Sequence, residues 1–249
     1  MTYFAGFPET NYKFGNEEYN VLFQNLSAYV DLIDRMKDDV SFYTKYTILD
    51  GDRPDTVSHV LYDTSIYYWT FFYLNDNIRQ MGWPLTSRQI RDHIQKKYPN
   101  TTLVTRGNIF DTKFAPGREV IGLTSGTRGT IVSKNVNLGQ IVVQGTLQFD
   151  DGETIQTVLT DQELAIGGYT NSEFVLYSSS DEYNSAMYYT LDGVITDIDP
   201  FVGPGALLAE VTHMDHFIDQ NNTNKHIKVL RPDVVTQVFT AFKKELTGL

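Results

Sequence analysis

The sequence predicts an α+β protein in three successive parts: a helical N-terminal module, a small all-β insert, and a C-terminal α/β segment ending in a helix. Three observations carry this. Apolar residues recur at helical spacing through much of residues 21–98. β-Branched and polar residues then alternate between Gly, Asn and Asp turns from Arg118 to Ile166. A helical period returns after Pro232. The expected parts are an arm at 1–20, the helical module at 21–100, the β-rich insert at 105–166 and the C-terminal segment at 170–249.

The first twenty residues read as a docking arm. Phe7 and Tyr12 stand with Phe4, Phe14 and Tyr19 among Gly, Pro and Asn, with no helical period. An aromatic segment without a core of its own docks elsewhere, on its own domain or on a neighbour. Asn20 suits an N-cap, and Val21, Leu22, Leu26, Tyr29, Val30, Ile33 and Met36 predict a helix over 21–37. Residues 40–49 alternate and predict a strand, closed by the turn Asp50-Gly51-Asp52. Pro54 suits the first turn of the next helix, with Val57, Val60 and Leu61 as its buried stripe. A second short helix covers 65–75. Ile66 to Leu74 leave it almost no polar face, so it is buried or lies at an interface. Thr86 or Ser87 caps a helix over 87–98 that Pro99 ends.

Strands are expected at 119–123, 130–134, 140–147 and 154–159, forming a barrel-like or meander insert. Ser178 to Glu182 reads as a polar hinge or loop. Short strands follow at 187–191 and 194–196, residues 208–222 fit strand or helix, and 227–230 is a strand. Pro232 opens a final helix over 232–246.

Composition narrows the function. The 249 residues carry a net charge of −11, unevenly spread. Residues 1–134 balance 15 basic against 15 acidic groups, but between Lys134 and Lys225 there is no Lys or Arg among 14 Asp and Glu. That stretch cannot neutralise phosphates, so no nucleic acid is expected as a partner. It reads as a solvated surface or, more sharply, as a patch that meets basic surfaces on neighbouring subunits. The absence of Cys excludes disulfides, thiolate chemistry and cysteine-ligated metals. No apolar run approaches the roughly 18 residues that span a bilayer. The first residues lack the basic and apolar regions of a signal peptide, so no membrane partner is expected.

Three groups invite a chemical reading. Gly122-Leu-Thr-Ser-Gly126 looks like a phosphate loop, but no Lys follows to reach terminal phosphates, and a hairpin turn is the better reading. His213, His216 and Asp219 would share a face of a helix and two His with a carboxylate can bind metal, although solvated or hydrogen-bonding side chains account for them as well. Asp192-Gly193 with Asp197 and Asp199 lacks the EF-hand spacing and reads as turn chemistry. No catalytic constellation emerges, so the expectation is a protein that is no enzyme, needs no cofactor or metal, and works by making contacts.

One stretch carries a family signature. It runs Tyr43-Thr-Lys-Tyr-Thr-Ile-Leu-Asp-Gly-Asp-Arg-Pro-Asp-Thr-Val-Ser-His-Val-Leu-Tyr62, then Tyr67-Tyr-Trp69, Leu74-Asn-Asp-Asn77 and Trp83-Pro84. It resembles the small inner-baseplate wedge protein of T4-like contractile-tail phages, the product of their gene 53. Ile227-Lys-Val-Leu-Arg-Pro-Asp-Val-Val to Glu245-Leu246 is similar to that family's C-terminal strand and helix, and Phe7-Pro8 with Tyr12 to its arm. Residues 105–166 depart from the compact form of the family.

The resemblance implies a structural subunit of the virion, assembled in the host cytoplasm, that joins wedge proteins into the inner baseplate ring around the tail tube. Its partners would be other wedge and tail subunits. Phe7, Tyr12, Arg53, Pro54, Tyr62, Trp69 and Trp83 would then be interface or structural anchors, with Trp69 and Tyr62 equally well placed as plain core. The strand–helix–helix order over 43–77 also resembles a LysM module, which implies a peptidoglycan- or N-acetylglucosamine-binding protein as the alternative. A third expectation gives the β insert a decoration or adaptor role.

Overall fold

A computed structural model describes residues 9–12, 21–24, 39–109 and 112–247. The chain divides into two compact units: unit 1 takes residues 1–87 and 220–249, and unit 2 takes residues 88–219.

In unit 1, β1 (Glu9–Tyr12) and β2 (Val21–Gln24) pair antiparallel, from Glu9 opposite Gln24 to Tyr12 opposite Val21. The helix expected from residue 21 is therefore strand at its start. Val, Leu and Phe suit a pleated surface as well as a helix face, and the ribbon partner decides. Residues 25–37 of that expected helix lie outside the described residues.

β3 (Tyr43–Thr47) follows, then α1 (Pro54–Tyr62), α2 (Trp69–Leu74) and α3 (Asp76–Met81). Pro54 occupies the first turn of α1, where a missing N–H costs nothing, and Asp63 closes the helix at a left-handed φ of 57°. Ser65–Tyr67 form a single 3-10 turn before α2. The sheet partner of β3 comes from the far end of the sequence. β13 (His226–Leu230) pairs with it antiparallel over its whole length, from His226 opposite Thr47 to Leu230 opposite Tyr43.

The core of unit 1 joins both chain segments. Ile48, Val57, Phe71 and Ile78 pack with Ile227 and Val229. Leu74 packs with Leu230, Val235 and Val238, the last two from the final helix, Val235–Thr247. Val60, expected in the buried stripe of α1, is 70% exposed, because the stripe runs through Val57 and Leu61.

A self-contained N-terminal LysM-like helical module is therefore not what forms. Its β3 has a strand partner some 179 residues away, its helices share a core with the C-terminal segment, and residues 21–24 are strand rather than helix. The sugar-binding expectation thereby loses the module on which it was built.

Unit 2 begins along α4 (Ser87–Lys97), which buries Ile90 and Ile94. Next come β4 (Thr101–Thr105), β5 (Glu119–Gly122), β6 (Arg128–Asn135), β7 (Gln140–Val143), β8 (Thr154–Thr157) and, after the short α5 (Asp161–Ile166), β9 (Glu173–Asp181). These six strands close into a barrel in the order β4-β7-β6-β5-β8-β9. The nine-residue β9 closes it by pairing β8 with its first half and β4 with its second. Leu103, Phe114, Val120, Ile131, Ile141, Ile155 and Leu176 fill the interior, each at most 1% exposed.

The β region thus exceeds the expected 105–166 insert at both ends. Ser178 to Asp181, expected as loop, is the end of a barrel stave paired with Thr101–Val104. Beyond the barrel, β10 (Ala186–Leu191), β11 (Val194–Thr196) and β12 (Ala209–Thr212) form a sheet ordered β11-β10-β12. Asp192 and Gly193 make the two-residue turn between β10 and β11, both at positive φ, which twists as the strands do. The ambiguous stretch 208–222 resolves as β12 followed by α5's successor α6 (His213–Asn224). Thr212 caps that helix by accepting from the Asp215 N–H at 3.1 Å, while Asp215 accepts from the Thr212 N–H at 3.1 Å.

Candidate functional site

Three of the seven expected anchors, Tyr62, Trp69 and Trp83, pack into unit 1. Trp69 is 4% exposed and packs on Phe242, with ring centroids 4.7 Å apart, and edge-on to Tyr73 at 5.5 Å. Tyr62 is half-buried between the two apolar clusters of unit 1 and donates its hydroxyl to the Leu230 carbonyl at 2.9 Å. Burial pushes its phenol well above the usual tyrosine range. Trp83 donates its indole N–H to the Asp52 carbonyl at 2.7 Å and packs against Phe71 and Phe72. Pro54 starts α1.

Arg53 keeps an exposed side chain, 76%, with Asp55 beside it at 3.2 Å. An exposed pair of this kind contributes little to stability, so its charge is open to a partner at small cost. Tyr12 lies in β1, and Phe7 lies outside the described residues.

Asn75, which directly follows α2, ties that helix to the sheet. It is 6% exposed and sits beside β13. Its side-chain amide donates to the Lys228 carbonyl at 2.7 Å and to the Phe71 carbonyl at 2.8 Å, and its oxygen accepts from the Lys228 N–H at 2.7 Å. The side chain thus completes the hydrogen bonding of a strand edge.

In unit 2 the glycine loop after β5 does bind an anion, but one from its own chain. Glu153, 4% exposed, accepts from the backbone N–H groups of Thr124 and Ser125, each at 3.0 Å, and from the Ser125 hydroxyl at 2.9 Å. The Asp150 N–H adds a fourth bond at 2.8 Å. Burial works against this charge, yet the bonds from Ser125, Asp150 and Thr124 outweigh it and hold the carboxyl below its ordinary value. A Cβ on Gly122 would lie 2.5 Å from the carboxylate, so only glycine permits the approach. The phosphate-loop look of Gly122–Gly126 therefore has a structural cause.

The His cluster does not assemble. His213 stacks on Tyr98 with centroids 4.2 Å apart, and His216 Nδ1 lies 3.1 Å from the Tyr188 hydroxyl. Among the described residues no group of three His, Asp or Glu side chains could hold a metal ion, and no helix is long and apolar enough to cross a membrane.

Sequence reading missed a concave site in unit 2. A cavity of about 360 Å³ opens between the end of β9, the strands β10 and β12, and the loop at 202–204. Arg106, just past β4, reaches into it under the Tyr177 ring, with Cζ 4.8 Å from the ring centroid. The Nη1 of Arg106 is buried without a hydrogen-bond partner. Gly203, at φ 87°, lies so close that a Cβ there would meet Cζ at 2.6 Å. Ser178, Ser179, Ser180, Tyr189 and Glu210 are part of its polar lining. Burial, and then Asp215, push the Glu210 carboxyl up. Burial, then Glu210, push the Tyr189 phenol up, while Arg106 works the other way. The only signal in the sequence is negative: a run without Lys or Arg obtains its cation from outside, and Arg106 supplies it.

No family model matches this sequence, and no curated protein matches it.

Proposed function

We propose that this chain is a structural subunit of a contractile phage tail, joining wedge proteins into the inner baseplate ring and carrying out no reaction of its own. One observation carries the reading. The two remote stretches that resemble the wedge family, 43–84 and 227–246, come together in a single unit, where β3 pairs with β13 and the cores are shared. Segments that act as one block in a family are expected to fold as one block. The exposed Arg53, and the apolar Val40, Leu49, Val60 and Met81 that unit 1 leaves open to solvent, support a contact-making role.

A tagged pull-down from infected cells, followed by mass spectrometry, tests it. Other tail and baseplate subunits are expected in stable ratio. Recovery of the chain alone would overturn the reading. A second test removes unit 2. The Leu85 N–H donates to Asn221 Oδ1 at 2.8 Å and Asn221 Nδ2 donates to the Leu85 carbonyl at 3.0 Å, so the two cut points lie side by side. A short linker from Ser87 to Gln220 is expected to leave unit 1 folded and able to capture the same subunits.

A further inference from the structure

We propose that the cavity beside Arg106 is a carboxylate-binding site, in which the guanidinium takes the carboxylate and the hydroxyls of Ser178 and Ser180, which share a face of β9, complete its contacts. The proposal stands whether or not the chain is a tail subunit.

The first argument is the orphaned donor. A buried N–H without a partner is rare, because leaving it unmade forfeits the bond it had with water. Nη1 of Arg106 is such a group, and it belongs to a side chain that lines open space. The Tyr177 ring covers a face of the guanidinium, which leaves the in-plane N–H groups as the means of binding. Those groups have the fork geometry that matches a carboxylate. The guanidinium lies where a side chain at position 203 would have to be, so only glycine there leaves it room.

The second argument selects the anion. Arg106 is the only basic side chain lining the cavity among the described residues, and Glu210 shares the lining. One cation facing one carboxylate tolerates a single added negative charge but works against a doubly charged phosphate. The serines offer donors and acceptors alike, so they suit a carboxylate that carries hydroxyl or amide groups. Such a group comes from a small free acid or from a carboxylate of another polypeptide, and the test separates these.

The full-length chain is titrated by calorimetry and amide NMR with acetate, inorganic phosphate, N-acetyl-glycylserine and its C-terminal amide. Saturable binding of acetate or the peptide acid is expected, with resonances of Arg106, Tyr177 and Ser178–Ser180 shifting, and phosphate weaker. Arg106→Gln is expected to weaken binding by about tenfold or more, the loss of charge-assisted hydrogen bonds. Glu210→Gln removes the competing charge from an exposed position and is expected to tighten binding several-fold, which keeps the test decisive if Arg106→Gln fails to fold. Peptide acid bound well above acetate, with the amide silent, assigns the site to a polypeptide carboxylate; equal affinity assigns it to a free acid. No saturable binding by either carboxylate, or an affinity unchanged in Glu210→Gln, would overturn the proposal.

Discussion

Unit 1 and unit 2 bury their apolar surface by opposite chain layouts. In unit 2 six consecutive strands close on themselves, and every barrel strand finds both partners inside residues 101–181. In unit 1 the strand β3 finds its partner only at His226–Leu230, and the core joins aliphatic and aromatic side chains from both segments. Backbone closure carries the first design; a few large side chains carry the second. The comparison teaches where each unit is vulnerable. A barrel spreads its dependence over many ladder bonds, while unit 1 concentrates it on Trp69, Tyr62, Phe71 and Asn75.

The strongest break is Trp69→Ala. Removing a buried indole costs about 3–5 kcal/mol. Hydrogen exchange should show unit 1 amides losing protection while barrel amides keep theirs; uniform loss would mean that the units do not unfold separately. Next come two single polar side chains, one in each unit. Asn75→Ala leaves the Lys228 N–H and carbonyl without their side-chain partners, and Glu153→Gln sets an amide donor against a ring of donors. Each should cost about 1–3 kcal/mol in urea denaturation. An effect near zero for Glu153→Gln would show that the loop does not need its anion.

Thr160→Ala should cost less, about 0.5–2 kcal/mol, by removing the capping box of α5. The smallest expected effect is a pH dependence. Hydrogen bonds from Arg118, then from Thr160, pull the Glu163 carboxyl from an ordinary 4.5 down to about 2. A depressed carboxyl stabilises the fold above its ordinary value and loses that contribution as pH falls from about 4.5 towards about 2. In Arg118→Gln, the acid limb of the stability curve should flatten over that range; an unchanged limb would sink the assignment.

Legibility in the sequence follows the same division. Strands at 119–122 and 154–157 were readable because each alternates buried and half-buried residues, the signature of a strand with one wet face. β4 was not, because Thr101, Thr102, Leu103 and Thr105 are all buried and no alternation survives. The last residues of β9 were hidden by three serines whose composition says loop while their backbone pairs with β4. Pro54 and the Asp50–Asp52 turn were local signals and held. The β3–β13 pairing leaves no local trace, and the Arg106 cavity depends on loops brought together by the barrel, so neither could be read from neighbouring residues. The buried state of Trp69 and Tyr62 was one of the two roles open to them; their aromatic type alone could not choose.

The distant partner of β3 also sets an order of events on the ribosome. All of residues 88–219 emerge before the strand at 226–230 does, so the barrel can close while β3 and the aromatic helices behind it still lack their sheet partner and half their core. Unit 1 becomes complete only once the strand at 226–230 and the helix after it have emerged. A product that stops short of residue 226 would have a closed barrel while the apolar faces of β3, α1 and α2 that pack on the C-terminal segment stayed uncovered.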